Sequence, residues 1–266
     1  MLELEFAELS DPGKVREHNE DYIGHAVPTN PEEARSRGWL FALADGVGGQ
    51  DRGEVAARTA VENLRASFRE SKAGEPPSPL LQRLVEAANL KVYETAAAAS
   101  PGGSSMCTTV VACMLRFDRV SIAHVGDSRC YLIRRGRATV LTHDHTLVGE
   151  QVRMGLLSHA EASQSERRHL LSRSLGANMF VNVDLNEHQL LPDDILLLSS
   201  DGFHGAFTND EIAAAAGQFH NLEENARNLV SLAREKDGSD NISVQLIRVK
   251  QVERIGMYRG RPYKLR

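Results

Sequence analysis

Cys107–Leu115, CTTVVACML, is a β-branched, apolar run of strand length. Val120–Val125, Cys130–Arg134 and Ala138–Leu141 follow at short intervals, each set off by turn-forming residues. Strands joined this closely leave no room for the crossover that parallel neighbours need, so the spacing predicts an antiparallel meander. Before the meander come an alternating strand pattern at residues 2–9, a short strand at Tyr22–Val27, a loop at Pro28–Gly38 and an apolar run, Trp39–Ala44. Two helical patterns follow: Val55, Thr59, Val61, Leu64 and Phe68 share one face, and Leu81, Leu84, Val85, Ala88 and Val92 another, ending at Pro101-Gly102-Gly103. Beyond the meander lie a strand region at Phe180–Leu191, a strand into Asp201, helices at Asp210–Ala216 and Glu223–Arg234, and a last strand at Ile242–Val249. Helices segregated from antiparallel strands mean an α+β chain, and the expected form is a four-layer α-β-β-α sandwich of two mainly antiparallel sheets flanked by helices.

The composition is that of an ordinary soluble globular protein, 41% apolar and 25% charged. A net charge of −5 over 266 residues gives no reason to expect nucleic acid or an anionic membrane as partner. No apolar stretch approaches the ~20 residues of a membrane span, and MLELEFAELSDPG lacks the basic and apolar regions of a signal peptide. Cys107, Cys113 and Cys130 include no C-x-x-C and read as reduced, buried residues, which points to the cytoplasm. A monomer is the default, since no exposed heptad or apolar stripe stands out.

The chemistry gathers where strands stop. WLFALADGVGGQ at residues 39–50 ends its apolar run at Asp45-Gly46. Asp194–Ser200 ends in Asp201-Gly202, Val120–Val125 in Gly126-Asp127-Ser128, and Asp240-Asn241 directly precedes the last strand. Carboxylates brought together at one sheet edge repel each other and are costly to bury unless cations neutralise them. The pattern therefore predicts a metal site.

These residues, with Arg16-x-x-Asn19-Glu20-Asp21, occur in the order seen in PP2C-type (PPM) metal-dependent Ser/Thr protein phosphatases, and the sequence resembles the bacterial branch of that family from about residue 5 to 249. The resemblance implies a single catalytic domain over residues 1–249, with a flap excursion at about 145–170; the tail at 250–266, KQVERIGMYRGRPYKLR from Lys250, is basic and patternless by its own residues and reads as a solvated extension. It implies two Mn²⁺ or Mg²⁺ ions, bridged by Asp45, with Gly46 offering its carbonyl, Asp201 and Asp240 completing the first ion, and Glu20 and Asp21 serving the second. Asp127 matches the aspartate that, with the equivalent of Asp201, holds a weaker third ion in bacterial members. Hard divalent ions suit such oxygen donors. Arg16 matches the phosphate clamp, a role its permanently charged fork fits. The implied reaction is direct hydrolysis of phosphoserine or phosphothreonine in proteins by a metal-activated water, with Asp45, Asp201 and Arg16 as the central residues. The implied partners are phosphorylated proteins and a cognate Ser/Thr kinase.

Some positions depart from the family. Val47 stands where eukaryotic relatives often carry a proton-donating histidine, which leaves His18, His124, His143 and His204 as conceivable donors. Cys107 replaces a glycine before the paired threonines Thr108-Thr109. Arg129 and Arg173 are expected to pair with carboxylates behind the site. Cys113 to Arg119 fits a bare C-x₅-R count, but CMLRFDR has no glycines to cradle a phosphate. A two-metal nuclease would bring histidine ligands and a basic track, and a non-catalytic phosphoprotein-binding module would lack ligand positions; the chain shows neither pattern.

Overall fold

The computed structural model describes residues 1–47, 52–99, 106–158, 161–162, 165, 167–217, 221–258 and 261–264. In chain order these form β1 (Glu3–Asp11), β2 (Tyr22–Ala26), α1 (Pro31–Ser36), β3 (Trp39–Ala44), β4 (Gly46–Val47), α2 (Gly53–Glu70), α3 (Pro77–Ala99), β5 (Cys107–Thr108) and β6 (Val110–Arg116). The meander continues with β7 (Arg119–Val125), β8 (Arg129–Arg134) and β9 (Arg137–Val140). Then come α4 (Leu147–Arg153), β10 (Asp184–Gln189), β11 (Ile195–Ser199), α5 (Asp201–His204), α6 (Asn209–Ala216), α7 (Leu222–Lys236), β12 (Ile242–Gln251), β13 (Ile255–Tyr258) and β14 (Arg261–Lys264). Gly48, Gly49 and the Pro101–Gly103 helix stop lie outside the described residues, as does part of the excursion between 158 and 169.

The strands form two five-stranded sheets, β1-β12-β11-β8-β9 and β10-β7-β6-β3-β2, with every neighbouring pair antiparallel. Their period of two sorts side chains into separate cores. From β3, Leu40, Ala42 and Ala44 pack on α2 and α3, while Trp39, Phe41 and Leu43 enter the space between the sheets. From β11, Leu197 faces α6 and α7, while Leu196 and Leu198 face inward. Because the central strands are covered on both faces, they read as continuous apolar runs rather than as alternation. The α-β-β-α layering expected of the sequence is what the chain adopts. Cys113 and Cys130 meet in the middle layer, Sγ to Sγ 3.7 Å, as buried thiols.

Two segments differ from the sequence reading. Pro28–Gly38 contains a helical turn and a half, α1, started by the Asn30 side chain accepting from Glu33 N and by proline in the first turn. The segment after Lys250 is not patternless: β12 runs to Gln251, and Ile255–Tyr258 pairs with Arg261–Lys264. The 145–170 excursion leaves and rejoins the body at a pinch, with Thr146 bridged to Leu171 and Leu147 N donating to Leu170 O at 2.9 Å. Its helix is short, Leu147–Arg153, and Thr146 caps it.

Candidate metal centre

Topology alone brings the predicted carboxylates to one end of the sandwich. β3 and β7 both run antiparallel to β6, so they end on the same side, at Asp45 and just before Asp127. β2 starts there because it runs antiparallel to β3, which puts Glu20 and Asp21 beside Asp45. In the other sheet β11 ends and β12 begins at that side, carrying Asp201 and Asp240. The charges of Asp21, Asp201, Asp127 and Asp240 all act on Asp45.

The backbone around Asp45 is fixed by the paired threonines. Asp45 N donates to Thr109 Oγ1 at 3.0 Å, and Thr109 N and Thr108 Oγ1 each donate to Asp45 O at 2.8 Å. Thr109 Oγ1 also shares a hydrogen bond of 2.7 Å with Ser128, tying the Asp45 turn to the Asp127 turn. Gly46 N donates to Glu20 O at 3.2 Å. A Cβ on Gly46 would lie 2.4 Å from the carbonyl of Gly53 and 2.7 Å from Glu20 O, so only glycine lets three backbones meet there.

Asn241 is the staple of the opposite wall. Its side chain accepts from Glu20 N at 2.8 Å and donates to Pro12 O and His18 O, both at 3.0 Å. One side chain thus fixes the loop that carries Arg16, Glu20 and Asp21. Arg16 lies across the cleft mouth, Nη2 donating to Asp240 Oδ2 at 2.8 Å.

The Gly126-Asp127 turn is held by two histidines. His204 Nε2 donates to Asp127 O at 3.0 Å, and Gly126 N donates to His145 Nδ1 at 3.1 Å. Burial lowers His204 to about 4 and also lowers His145, so both rings are neutral near pH 7. Arg129 grips Asp144 through two bonds, 2.8 and 2.6 Å, and Arg173 reaches Asp184 at 2.7 Å and Glu150 at 3.2 Å. Both arginines therefore have the structural pairing expected of them.

The electrostatics are those of a site short of positive charge. Burial pushes Asp21 up to about 7; the hydroxyls of Ser243 and Ser200 lie near enough to ease that shift, yet neither aligns to bond, and both Asp21 oxygens are buried without a partner. Burial, then the charges of Asp201 and Asp144, push Asp127 up to about 8. Burial and the four neighbouring aspartates hold Asp45 well above the usual carboxylate range. Asp201 moves the other way: burial opposes ionisation, but the contact with His169 at 3.4 Å and the neighbouring His204 and Asp45 outweigh it. An orphaned buried carboxylate among others that resist ionisation is the environment a hard divalent cation would complete, and the oxygen-only donors match Mg²⁺ or Mn²⁺.

His124, His145 and Asp184 also bring three ligand-type atoms within 4.8 Å of one another. Their hydrogen bonding argues against an ion. His145 Nδ1 accepts from Gly126, so its proton sits on Nε2, 3.2 Å from Asp184 Oδ2. His124 Nε2 donates to His143 O at 2.8 Å, and Arg173 already occupies Asp184. This cluster is a brace behind the Asp127 turn.

Of the histidines raised as proton donors, His124 and His204 are buried with depressed pKa values of about 4, and His18 and His143 meet the network through their carbonyls. The histidine that does reach the cluster is His169, Nδ1 3.4 Å from Asp201 Oδ2. Nothing in its polar, aperiodic surroundings marks it in the sequence. Thr109 and Asn241 had a signal, since each sits beside a residue of a recognised motif.

A family model described as Protein phosphatase 2C matches residues 16–237. The Serine/threonine phosphatase Stp of Listeria innocua is 33% identical over 255 residues, covering 95% of this chain and 96% of that protein. The structure of the Mycobacterium tuberculosis serine/threonine phosphatase PstP aligns with a TM-score of 0.82 at 31% identity, over 94% of this chain and 100% of the other. The catalytic domain of PstP in complex with two manganese ions aligns with a TM-score of 0.80, again at 31% identity and with coverages of 94% and 100%. Similarity of this extent in both sequence and fold places the chain in the protein phosphatase 2C family.

Proposed function

We propose that this protein is a metal-dependent phosphatase that hydrolyses phosphoserine and phosphothreonine in proteins, opposing a Ser/Thr kinase in the cytoplasm of a bacterium. The observation that carries this reading is the Asp21 carboxylate, buried with neither oxygen bonded, beside Asp45, Asp201, Asp127 and Asp240. Asp45, the Gly46 carbonyl, Asp201 and Asp240 would hold one ion, and Asp45 with Glu20 and Asp21 a second. Asp127 and Asp201 would hold a weaker third. Two divalent ions, when bound, activate water and offset the charge that builds up in an in-line displacement.

The chain's own residues supply the rest. Thr108 and Thr109 hold the Asp45 peptide rigid from both sides, and Asn241 fixes the Glu20-Asp21 pair, so the donors need little rearrangement to receive cations. Arg16 can turn from Asp240 to the substrate phosphate, which its fork can bind at two oxygens. Residues 1–249 act as the catalytic unit, with 145–170 as a flap at the cleft that bears on substrate choice.

The test is hydrolysis of p-nitrophenyl phosphate and a phosphothreonine peptide, with Mn²⁺, with chelator, and with Asp45→Asn and Asp201→Asn. Turnover that needs Mn²⁺ and disappears in both variants is the expected result. A folded, Mn²⁺-loaded wild type without turnover would refute the reading.

A further inference from the structure

β8 and β9 are joined by a two-residue turn, Arg135-Gly136, closed by the pair Arg134 and Arg137. Both turn residues have positive φ, 51° and 72°, as this hairpin geometry requires. Asn, Asp or Gly suits the first position; an arginine there bears backbone strain that the turn itself does not call for. Strain of this kind accumulates where a side chain is needed for another purpose.

A cleft of about 540 Å³ opens beside this turn. It lies between β9, the edge strand of one sheet, and β10, the edge strand of the other. Arg134, Arg135, Arg137 and Thr139 line it from the hairpin and His188 from β10. Leu132 and Leu141 supply the apolar part of the lining. Arg134 is neutralised by Asp194 at 2.7 Å. Arg135 and Arg137 are exposed, and among the described residues neither has a carboxylate partner. Two uncompensated guanidiniums thus face one cleft of a chain whose net charge is −5.

We infer that this cleft is a second phosphate site, which docks one phosphorylated residue of a protein substrate while another enters the metal centre; the inference rests on the phosphatase reading above. The chemistry favours a phosphoryl group over a carboxylate. A phosphomonoester carries a charge of about −1.5 to −2 near neutrality, which two guanidinium forks can match, and its oxygens accept several donors at once. A nucleic acid would need a longer basic track than the two unpaired guanidiniums that line this cleft.

The site is remote from the chemistry. β8 begins at Arg129, which pairs with Ser199 two residues before Asp201, and ends at Arg134. Five steps of about 3.3 Å put the Arg135 end of the cleft, where the phosphate would sit, roughly 17 Å from the carboxylate end. A substrate that uses both sites needs its phosphates at least that far apart, which is ~5 residues of extended chain and more along a curved surface.

The test compares a peptide carrying two phosphothreonines ten residues apart with its singly phosphorylated twin and with a twin bearing glutamate at the second position. Wild type is expected to show a five- to tenfold lower KM for the doubly phosphorylated peptide, with kcat unchanged. Arg135→Ala/Arg137→Ala should abolish that preference and leave p-nitrophenyl phosphate turnover as it was. Fluorescence polarisation of the labelled peptides in chelator should show the same ranking without catalysis. Equal KM for the mono- and diphosphorylated peptides in wild type, with p-nitrophenyl phosphate turnover intact, overturns the second site. A glutamate peptide as good as the diphosphorylated one overturns its assignment to phosphate. Absence of any turnover counts instead against the phosphatase reading.

Discussion

Arg16 donates to Asp240 across the mouth of the cleft at 2.8 Å, so the proposed phosphate clamp is held by a residue proposed to bind metal. Both side chains are substantially exposed, 51% and 36%, and such a pair is weak enough to be exchanged for a better partner. A cation at Asp240 would compete for the carboxylate and release the guanidinium toward substrate. Arg16→Ala is expected to raise KM for a phosphothreonine peptide by about 10–100-fold, the equivalent of one charge-assisted contact worth roughly 1.5–3 kcal/mol. Arg16→Lys should fall between, since an ammonium keeps the charge and loses the fork. An unchanged KM in Arg16→Ala would mean that the arginine stays on Asp240 throughout.

Asp45 gives the clearest separation of stability from function. Its folded-state pKa lies above the unfolded value, so in the metal-free protein it favours folding only while protonated and opposes folding as pH rises. Asp45→Asn removes that opposition. The metal-free variant is expected to melt several degrees above wild type at pH 7.5, at about 2–4 °C per kcal/mol for a chain of this size, and level with it near pH 4. The same variant should lose the increase in Tm that Mn²⁺ gives wild type. Thermal scans with and without Mn²⁺ at the two pH values decide both points.

Protons and cations compete for the same carboxylates. Asp21 is raised to about 7 and Asp127 to about 8, both above the unfolded carboxylate value, so their contribution to metal-free stability is lost as pH rises toward and through those values. His124 and His204, lowered to about 4, act in the opposite sense, but chiefly between that value and the unfolded histidine pKa of about 6.5. The interval from about pH 6.5 to 8 therefore isolates the carboxylates. Across it, metal-free stability should fall and apparent Mn²⁺ affinity should rise, with protons released on binding. Calorimetric titration in two buffers of different ionisation enthalpy measures the protons; a pH-independent affinity with none released would contradict the assigned shifts.

Arg129 and Asp144 hold the start of β8 through a two-point contact while only 27% and 24% exposed. Removing one partner strands the other charge. Arg129→Met is expected to cost about 2–3 kcal/mol, somewhat less than a fully buried pair because water still reaches both groups. Arg129→Met/Asp144→Leu should recover most of the loss. Urea unfolding of the four proteins in the cycle gives the coupling directly, and additive losses would show that the pair contributes little beyond its separate contacts.

The parts of this fold legible in the sequence are those set by local chemistry. The β-branched run into β6, the helical faces of α2 and α3, and the stops at Asp45, Asp127 and Asp201 all follow from residue type and spacing. The α1 turn is not legible in the sequence because its start depends on one capping side chain, Asn30, in a segment otherwise rich in loop residues. His169 is not legible either, because its approach to Asp201 is a tertiary contact across 32 positions that no periodicity encodes. The β13–β14 pairing is similar: a basic stretch with few apolar residues gives little strand signal, and the pairing itself supplies the order.

Asn241 and its neighbours also determine when, during biosynthesis, this enzyme can come into being. The loop that carries Arg16, Glu20 and Asp21 is held by a side chain on the far side of the sequence, and the Arg16–Asp240 contact spans 224 positions. β12 is not an edge strand: it separates β1 from β11 in its sheet. At ~5–20 residues per second, a ribosome makes Asp240 roughly 10–45 s after Arg16. Until then a nascent chain displays most of the acidic residues without the strand that would fix the first of them in place. A chain cut short before β12 would carry Asp45, Asp127 and Asp201 and still lack an assembled centre, so catalytic competence arrives only with β12, the last strand of the two large sheets to be made.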